Sequence, residues 1–338
     1  MADDRYSLRV ILTAQEWGRV VPKFTGRALT VESIRKRAPF APQTQIDWKD
    51  WNQLPVTNVL HRPDKEEERW IAQSTERLGD WRDMSRTVYL RWSLTINAMG
   101  IAQDHYAKLA EDRALQTITL RAPTGQAVRV PLAVWSGAEA AENYAASQEL
   151  VAAYGFADMY GVIEDIIFEA YEIYLGHNPG PLIEGPDNRD IRRAWRARDR
   201  DPATWSMVWA DRFERWRRKK LYDGLGRLVR SYWDGAGLRA PSHYQHTELA
   251  DWIATIEMFG KLRNHITHSA THVTAELAEA CKIATNMGFA FNEGDPLAVE
   301  LHHLMAIECF VDQYLTALNL SLLENIYGYG HFAKLAGR

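Results

Sequence analysis

The chain has 338 residues and a formal net charge of −4, with 46 % hydrophobic and 25 % charged residues. These proportions are typical of a globular protein and exclude a largely disordered chain. Its two cysteines, Cys281 and Cys309, form no disulfide framework or zinc signature, and the acidic start is followed by no apolar run. No apolar stretch reaches the roughly 18 residues that span a bilayer. We therefore expect a cytoplasmic protein without a secretory signal or membrane contact.

The first 135 residues predict a mixed α+β accessory or sensing region. Tyr6–Thr13 has the pattern of a strand. Pro63, followed by acidic residues, is expected to begin a helix that is interrupted at Gly79-Asp80. Within Gln116–Trp135, two β-rich runs flank Thr124-Gly125, a pattern that is typical of a β-hairpin.

Residues 136–338 predict a second, helical domain. Its amphipathic segments are joined by short loops, which is the pattern of a helical bundle. The predicted helices cover 137–175, 189–200, 202–233, 249–262, 273–287 and 295–322. The expected fold class is therefore mainly α, with a mixed α+β N-terminal region.

Basic residues concentrate in the segment 189–230, which we call the basic segment. It has 14 Lys and Arg against 6 Asp and Glu, a net charge of +8 on an acidic chain. Its densest part is Arg217-Arg218-Lys219-Lys220, which we expect to bind the RNA backbone. The interleaved aromatic residues are Trp195, Trp205, Trp209, Phe213, Trp216 and Tyr222. These rings either stack on bases or form a Trp-rich core beneath a basic helix face, and the core interpretation is favoured.

The segment Arg263-Asn264-His265-Ile266-Thr267-His268 combines an arginine, a polar residue and a histidine at the end of an apolar stripe. Arginine offers a charged planar fork that suits phosphate, and histidine exchanges protons near neutral pH. In a helix, Asn264 and His268 would lie on one face, whereas Arg263 and His268 would be about 140° apart. An active site that uses both charged groups is possible at this spacing.

These residue types suit the cleavage of RNA by its own 2′-hydroxyl. His268 would transfer a proton, and Arg263 would bind the non-bridging oxygens as charge develops on them. Asn264 would orient His268 or the phosphate. The reaction needs two proton-transfer groups, and a two-fold dimer would supply the second histidine.

The pattern Arg263-Asn264-x-x-x-His268, in a helical context, resembles the Arg-x(4–6)-His motif of the HEPN ribonucleases. The resemblance implies a HEPN-like helical bundle and a metal-independent endoribonuclease that needs no cofactor and cleaves single-stranded RNA as a homodimer. It also implies a role in prokaryotic anti-phage defence or as a toxin, with the N-terminal region available for a trigger or a regulatory partner. One subgroup has a tyrosine two residues after the histidine. Ala270 occupies that position here, which argues against that subgroup's toxin–antitoxin arrangement.

Three alternatives remain open at the level of sequence. Arg263 and His268 can be the solvated cationic end of an ordinary helix. His265, His268 and His272 can share a helical face and bind a metal ion. The bundle can also be a non-catalytic adaptor that dimerises or binds nucleic acid.

Overall fold

The computed structural model of the protein describes residues 58–109, 113–123, 125–242, 248–284 and 288–336. The strand predicted at Tyr6–Thr13 lies outside these residues. The described chain is mainly helical and contains a two-stranded antiparallel sheet, so the predicted fold class and hairpin are confirmed at this level. Within the described residues, no helix has the length and apolarity needed to cross a membrane.

The described elements are numbered here in chain order. They are α1 Arg69–Tyr106, β1 Arg113–Arg121, β2 Val128–Ser136, α2 Gly137–His177, α3 Gly180–Ile183, α4 Arg189–Ala197, α5 Pro202–Leu221, α6 Leu225–Gly235, α7 Leu249–Thr267, α8 Ala275–Ile283, α9 Leu301–Tyr327 and α10 His331–Ala336. Short 3₁₀ turns occupy Glu66–Glu68 and Pro186–Asn188.

The hairpin connects the two longest helices. Its strands pair from Arg113 opposite Ser136 to Arg121 opposite Val128, with two irregularities in register. Helix α2 follows without a loop because Ser136 and Glu139 form a capping box. The Ser136 hydroxyl accepts from the Glu139 amide, and the Glu139 carboxylate accepts from the Ser136 amide.

Helix α2 lies at the centre of the fold, where α1, α6, α7 and α9 all contact it. The close packing depends on Gly155, because an added Cβ would lie 2.8 Å from Leu304 and 2.9 Å from Trp92. The bulkiest fully buried rings include Trp81, Trp233 and Trp252. Burial of such rings supplies much of the hydrophobic stabilisation of a core.

Polar contacts between distant segments hold α1 against the later helices. Glu169 of α2 accepts hydrogen bonds from the Trp81 indole and the Arg77 guanidinium, both at 2.7 Å. The buried Asn319 side chain of α9 bonds both the amide and the carbonyl of Val59. Helix α1 thus shares one core with helices beyond residue 136. The assignment of residues 1–135 to an accessory region stays a prediction.

Three predicted helix boundaries within the first 233 residues are wrong. The helix expected to begin at Pro63 begins at Arg69, after the 3₁₀ turn Glu66–Glu68. Helix α1 continues through Gly79-Asp80, where an ion pair of 2.5 Å joins Arg77 to Asp80 and α2 packs alongside. The helix that begins at Pro202 ends at Leu221, and α6 starts separately after Gly224. Gly224 has a φ of +84°, a left-handed conformation that glycine adopts readily and that ends the helix.

The last long helix begins at Leu301, so the start predicted at Asp295-Pro296 is also wrong. The preceding segment is extended because its backbone pairs with the loop after α7. The Val273 amide donates to the Asp295 carbonyl at 2.9 Å, and the Leu297 amide donates to the Thr271 carbonyl at 3.0 Å. This pairing lies between residues more than 20 positions apart, so local sequence patterns do not reveal it.

Candidate functional site

The Arg263–His268 segment forms the last turn of α7. The predicted apolar stripe of this helix is buried, with Trp252, Ile256, Phe259 and Leu262 facing the core. Beyond Leu262 the helix emerges from the core. Its polar end therefore combines a rigid, well-anchored backbone with access to solvent.

Helix α7 ends in a Schellman motif. The Ala270 amide donates to the His265 carbonyl at 2.9 Å, and the Ser269 amide donates to the Ile266 carbonyl at 3.1 Å. Ser269 has a φ of +55°, a left-handed conformation that glycine usually occupies. His268 is the C-cap residue, and this reversal of the chain fixes its backbone.

Arg263 and Asn264 are brought together at the wall of a cavity. The Arg263 guanidinium donates to the Asn264 side-chain oxygen at 3.1 Å and lies 6.0 Å from the centre of the Tyr160 ring. Arg263 is half-buried and Asn264 is exposed. The cavity has a volume of about 520 Å³ and lies between α2, α7, the end of α5 and the start of α6. This size lies within the usual range for small-ligand pockets.

The cavity wall carries charges of both signs. Its cations are Lys220, Lys261 and Arg263, and its carboxylates are Glu164 and Glu257. Lys220 pairs with Asp223 at 2.8 Å, and Lys261 pairs with Glu276 at 2.7 Å. A wall of this kind suits a ligand that carries both an anion and hydroxyl donors.

Sequence reasoning missed Tyr160 and Glu164, which come from α2 and face Arg263. Burial raises the pKa of the Glu164 carboxyl, and the Arg263 charge opposes that rise. Burial also raises the pKa of Tyr160 to about 12, so its hydroxyl is protonated at neutral pH. The available sequence signal was a carboxylate at position 164 within the apolar run of α2 between Met159 and Phe168.

His268 lies outside this cavity. Its side chain is exposed at the end of α7, and no described residue hydrogen-bonds its ring. The structure therefore brings Arg263 and Asn264 together at one wall and leaves His268 on the adjoining surface. Proton transfer by His268 requires a substrate or a second subunit that reaches this surface.

The three-histidine alternative assumed one continuous helix, and that assumption is wrong. Helix α7 ends at Thr267, so His272 lies in the extended segment that pairs with Pro296. The two ring nitrogens of His265 lie 2.8 Å from the Lys261 carbonyl and 2.8 Å from the Thr274 hydroxyl. Across the described ranges, no three His, Cys, Asp or Glu side chains form a metal-binding group.

The densest part of the basic segment lies at the end of α5 and is partly neutralised. Arg217 pairs with Asp165 at 3.3 Å, and its guanidinium lies 5.1 Å from the Phe168 ring centre. Arg218 pairs with Glu214 at 2.8 Å, and Lys220 pairs with Asp223. Lys219 is exposed and pairs with no described carboxylate. Lys219 is thus the most available of the four for a phosphate.

The aromatic residues of this segment form a ladder of ring contacts. The rings of Trp195 and Trp205 lie 5.0 Å apart, as do those of Phe213 and Trp216, and Trp209 lies between these pairs. Phe213 is buried and the tryptophans are half-buried. This arrangement supports the Trp-rich core interpretation for these rings. Tyr222 differs, because it is 93 % exposed at the rim of the cavity.

Comparison of the chain with protein-family models, curated proteins and solved structures found no match. The chemistry of the site comes from its own residues: cations and an amide at the cavity wall, a partly buried carboxylate opposite them, and an exposed imidazole on the adjoining surface.

Proposed function

We propose that this protein is a metal-independent endoribonuclease of the HEPN type that cleaves single-stranded RNA. One observation carries the proposal. Arg263 and Asn264 are hydrogen-bonded to each other at the wall of a cavity that carries charges of both signs, and the exposed His268 lies one helical turn beyond Asn264. A phosphate binder and a proton-transfer group thus project from one short, rigid stretch of backbone.

The reaction proceeds by attack of a ribose 2′-hydroxyl on the adjacent phosphorus. Arg263 donates charge-assisted hydrogen bonds to the non-bridging oxygens, which become more negative in the transition state. Asn264 accepts from the Arg263 guanidinium and so orients it. His268 transfers a proton, either from the attacking hydroxyl or to the departing 5′-oxygen. The products are a 2′,3′-cyclic phosphate and a 5′-hydroxyl.

The active form is a homodimer through the HEPN-like domain. Among the described residues, His268 is the histidine to which we assign proton transfer, whereas the reaction needs a base and an acid. A two-fold interface apposes the same patch from each subunit, so a second His268 joins the site. The setting implied by the HEPN resemblance is cytoplasmic anti-phage defence or toxin action, with residues 1–135 available for a trigger or partner.

Cleavage of labelled single-stranded RNA in excess EDTA tests this function. The parent is expected to leave cyclic-phosphate and 5′-hydroxyl ends and to spare DNA, which lacks the 2′-hydroxyl. Arg263→Ala and His268→Ala should each lower the rate by about 10²–10⁴-fold. His272→Ala is the matched control, because His272 is an exposed histidine beyond the end of α7. Products with 5′-phosphate ends, or DNA cleavage, would contradict the mechanism.

A non-catalytic adaptor that binds RNA or dimerises is the second candidate. The position of His268 outside the cavity favours it, because binding by Arg263 and Asn264 needs no imidazole. The two functions differ in one result. An adaptor would bind RNA without cleaving it, and His268→Ala would leave that binding unchanged while Arg263→Ala would weaken it.

A further inference from the structure

An exposed aromatic ring stands at the mouth of the cavity. Tyr222 is 93 % exposed, whereas the aromatic residues that precede it in the basic segment are buried or half-buried. It follows the C-terminal turn of α5, next to Lys219 and Lys220. A large ring that is exposed in this position offers a flat face to a base.

The cavity contains groups that suit the phosphate of a nucleotide and a group that suits its ribose, and these groups lie on different helices. On α7, Arg263 offers a guanidinium fork that suits a phosphate, and Lys220 from α5 adds a second cation. On α2, Glu164 offers a carboxylate oxygen, an acceptor that suits a ribose hydroxyl. Phosphate and sugar oxygens therefore have separate partners on different helices that line the cavity.

The start of α6 lines this cavity next to Glu257 of α7. Gly224, Leu225 and Gly226 line it, and the N-cap Gly224 has no side chain to cap the first turn of the helix. The position of Gly226 needs a glycine, because an added Cβ would lie 2.8 Å from the Glu257 side chain. The backbone of α6 thus comes close to α7 and keeps the cavity narrow at this end.

We propose that the cavity is a subsite for one unpaired ribonucleotide of the RNA. Arg263 and Lys220 bind its phosphate, Glu164 accepts a hydrogen bond from its ribose 2′-hydroxyl, and Tyr222 stacks on its base at the rim. The inference rests on the proposed function, since it assigns a substrate position to the same site. It adds that Glu164 makes the site prefer ribose to deoxyribose before any bond is cleaved.

Fluorescence anisotropy tests the subsite with labelled single-stranded RNA and DNA of the same sequence. The His268→Ala chain serves as the background, so that RNA is not consumed during titration. Tyr222→Ala should weaken binding of both oligonucleotides by about 5- to 100-fold, because a base loses its stacking partner. Glu164→Gln should weaken RNA binding alone and bring the RNA-to-DNA affinity ratio towards one.

Two controls match these variants in residue type, and the glutamate control also lies on the same helix as Glu164. Tyr154→Ala removes an exposed tyrosine of α2 away from the cavity, and Glu149→Gln neutralises an exposed glutamate of the same helix. Both should leave binding unchanged. Equal losses of oligonucleotide binding in Tyr154→Ala and Tyr222→Ala would overturn the subsite, because the loss would then follow from removing any exposed tyrosine.

The outcomes separate the subsite from the ribonuclease proposal. RNA cleavage by the parent, with unchanged binding by Tyr222→Ala and Glu164→Gln, would overturn the subsite and leave the nuclease standing. A second outcome is that Tyr222→Ala loses binding and Glu164→Gln loses the preference for RNA, while the parent does not cleave RNA. This outcome would support the subsite and overturn the nuclease proposal. No RNA binding by the His268→Ala chain would overturn the subsite.

Discussion

Two arginines of this protein, Arg82 and Arg263, lie near carboxylates in very different surroundings. Arg82 on α1 is 2 % exposed and forms an ion pair with Asp312 of α9. It also donates to the Asn58 side chain at 3.0 Å and to the Thr316 hydroxyl at 3.3 Å. Arg263 is half-buried and donates to its neighbour Asn264 at the cavity wall. The first guanidinium is enclosed by the fold, and the second faces open space.

The difference separates a charge that the fold encloses from one that is open to a ligand. Burial lowers the pKa of Arg82, and the Asp312 charge opposes that effect. The negative charge of Asp312 therefore helps to keep the buried guanidinium charged. Removing Asp312 takes the paired carboxylate away from a guanidinium in a poorly solvated place, whereas removing Arg82 leaves Asp312 its ion pair with Arg86. Arg263 keeps contact with water and faces Glu164 across a cavity, so its hydrogen-bonding capacity is available to a ligand.

The largest expected effect is on stability at Arg82. Arg82→Ala should lower the free energy of unfolding by about 1–3 kcal/mol, because it removes buried hydrogen bonds to Asn58 and Thr316, while Asp312 keeps its ion pair with Arg86. Arg263→Ala should change it by less than about 1 kcal/mol, as expected for a solvated position. Urea denaturation of both variants measures these values. A similar loss in the two variants would mean that Arg263 also has mainly a structural role.

The next effect concerns the four basic residues at the end of α5. Changing Arg217, Arg218, Lys219 and Lys220 together to Gln should raise the apparent KM for RNA and flatten its dependence on salt. The turnover number at saturating RNA should stay near that of the parent.

Single variants at the end of α5 sharpen this expectation. Lys219→Gln should reduce the magnitude of the slope of log RNA affinity against log salt concentration by about one. Arg218→Gln should reduce this slope less, because Glu214 already neutralises Arg218. RNA affinity at several salt concentrations measures both slopes. If all variants and the parent have the same dependence of RNA affinity on salt, these residues form a solvated helix face and do not contact RNA.

A smaller effect is expected at the end of α7. Ser269→Gly should raise the free energy of unfolding by about 0.5–1 kcal/mol, because glycine adopts the left-handed conformation of this position with less strain. RNA cleavage should stay unchanged, since the Schellman motif that sets the position of His268 is kept. Thermal unfolding and the cleavage rate test both parts. A loss of stability would show that the Ser269 side chain makes a favourable contribution that outweighs its backbone strain.

The smallest effect is a pH dependence that arises from Glu164. Its pKa in the folded protein is raised above the ordinary value of 4.5, mainly by burial. Its contribution to stability is therefore fully present below that value and is lost as pH rises through the folded pKa. Glu164→Gln should gain stability relative to the parent across this window. Urea denaturation from low to neutral pH measures this difference, with Glu149→Gln, which replaces an exposed glutamate of α2, as the control.

Local sequence patterns predicted the elements whose signals lie within a few residues. The hairpin around Thr124-Gly125 is one case, and the apolar stripe of α7 is another. The adjacent residues Arg263 and Asn264 both line the cavity, and their side chains are hydrogen-bonded to each other. The missed break at Gly224 shows the limit of this approach, since glycine is tolerated both inside helices and in left-handed turns.

The sequence by itself determined the helical class, the buried face of α7 and the chemical character of its last turn. Only the tertiary structure decided that Tyr160 and Glu164, about 100 residues earlier, face Arg263 across a cavity, and that His268 lies outside it. It also decided that residues before α9 are extended, because they pair with the loop after α7. The physical reason is that helix periodicity and capping depend on neighbours in sequence, whereas cavities and segment pairing depend on how distant elements pack.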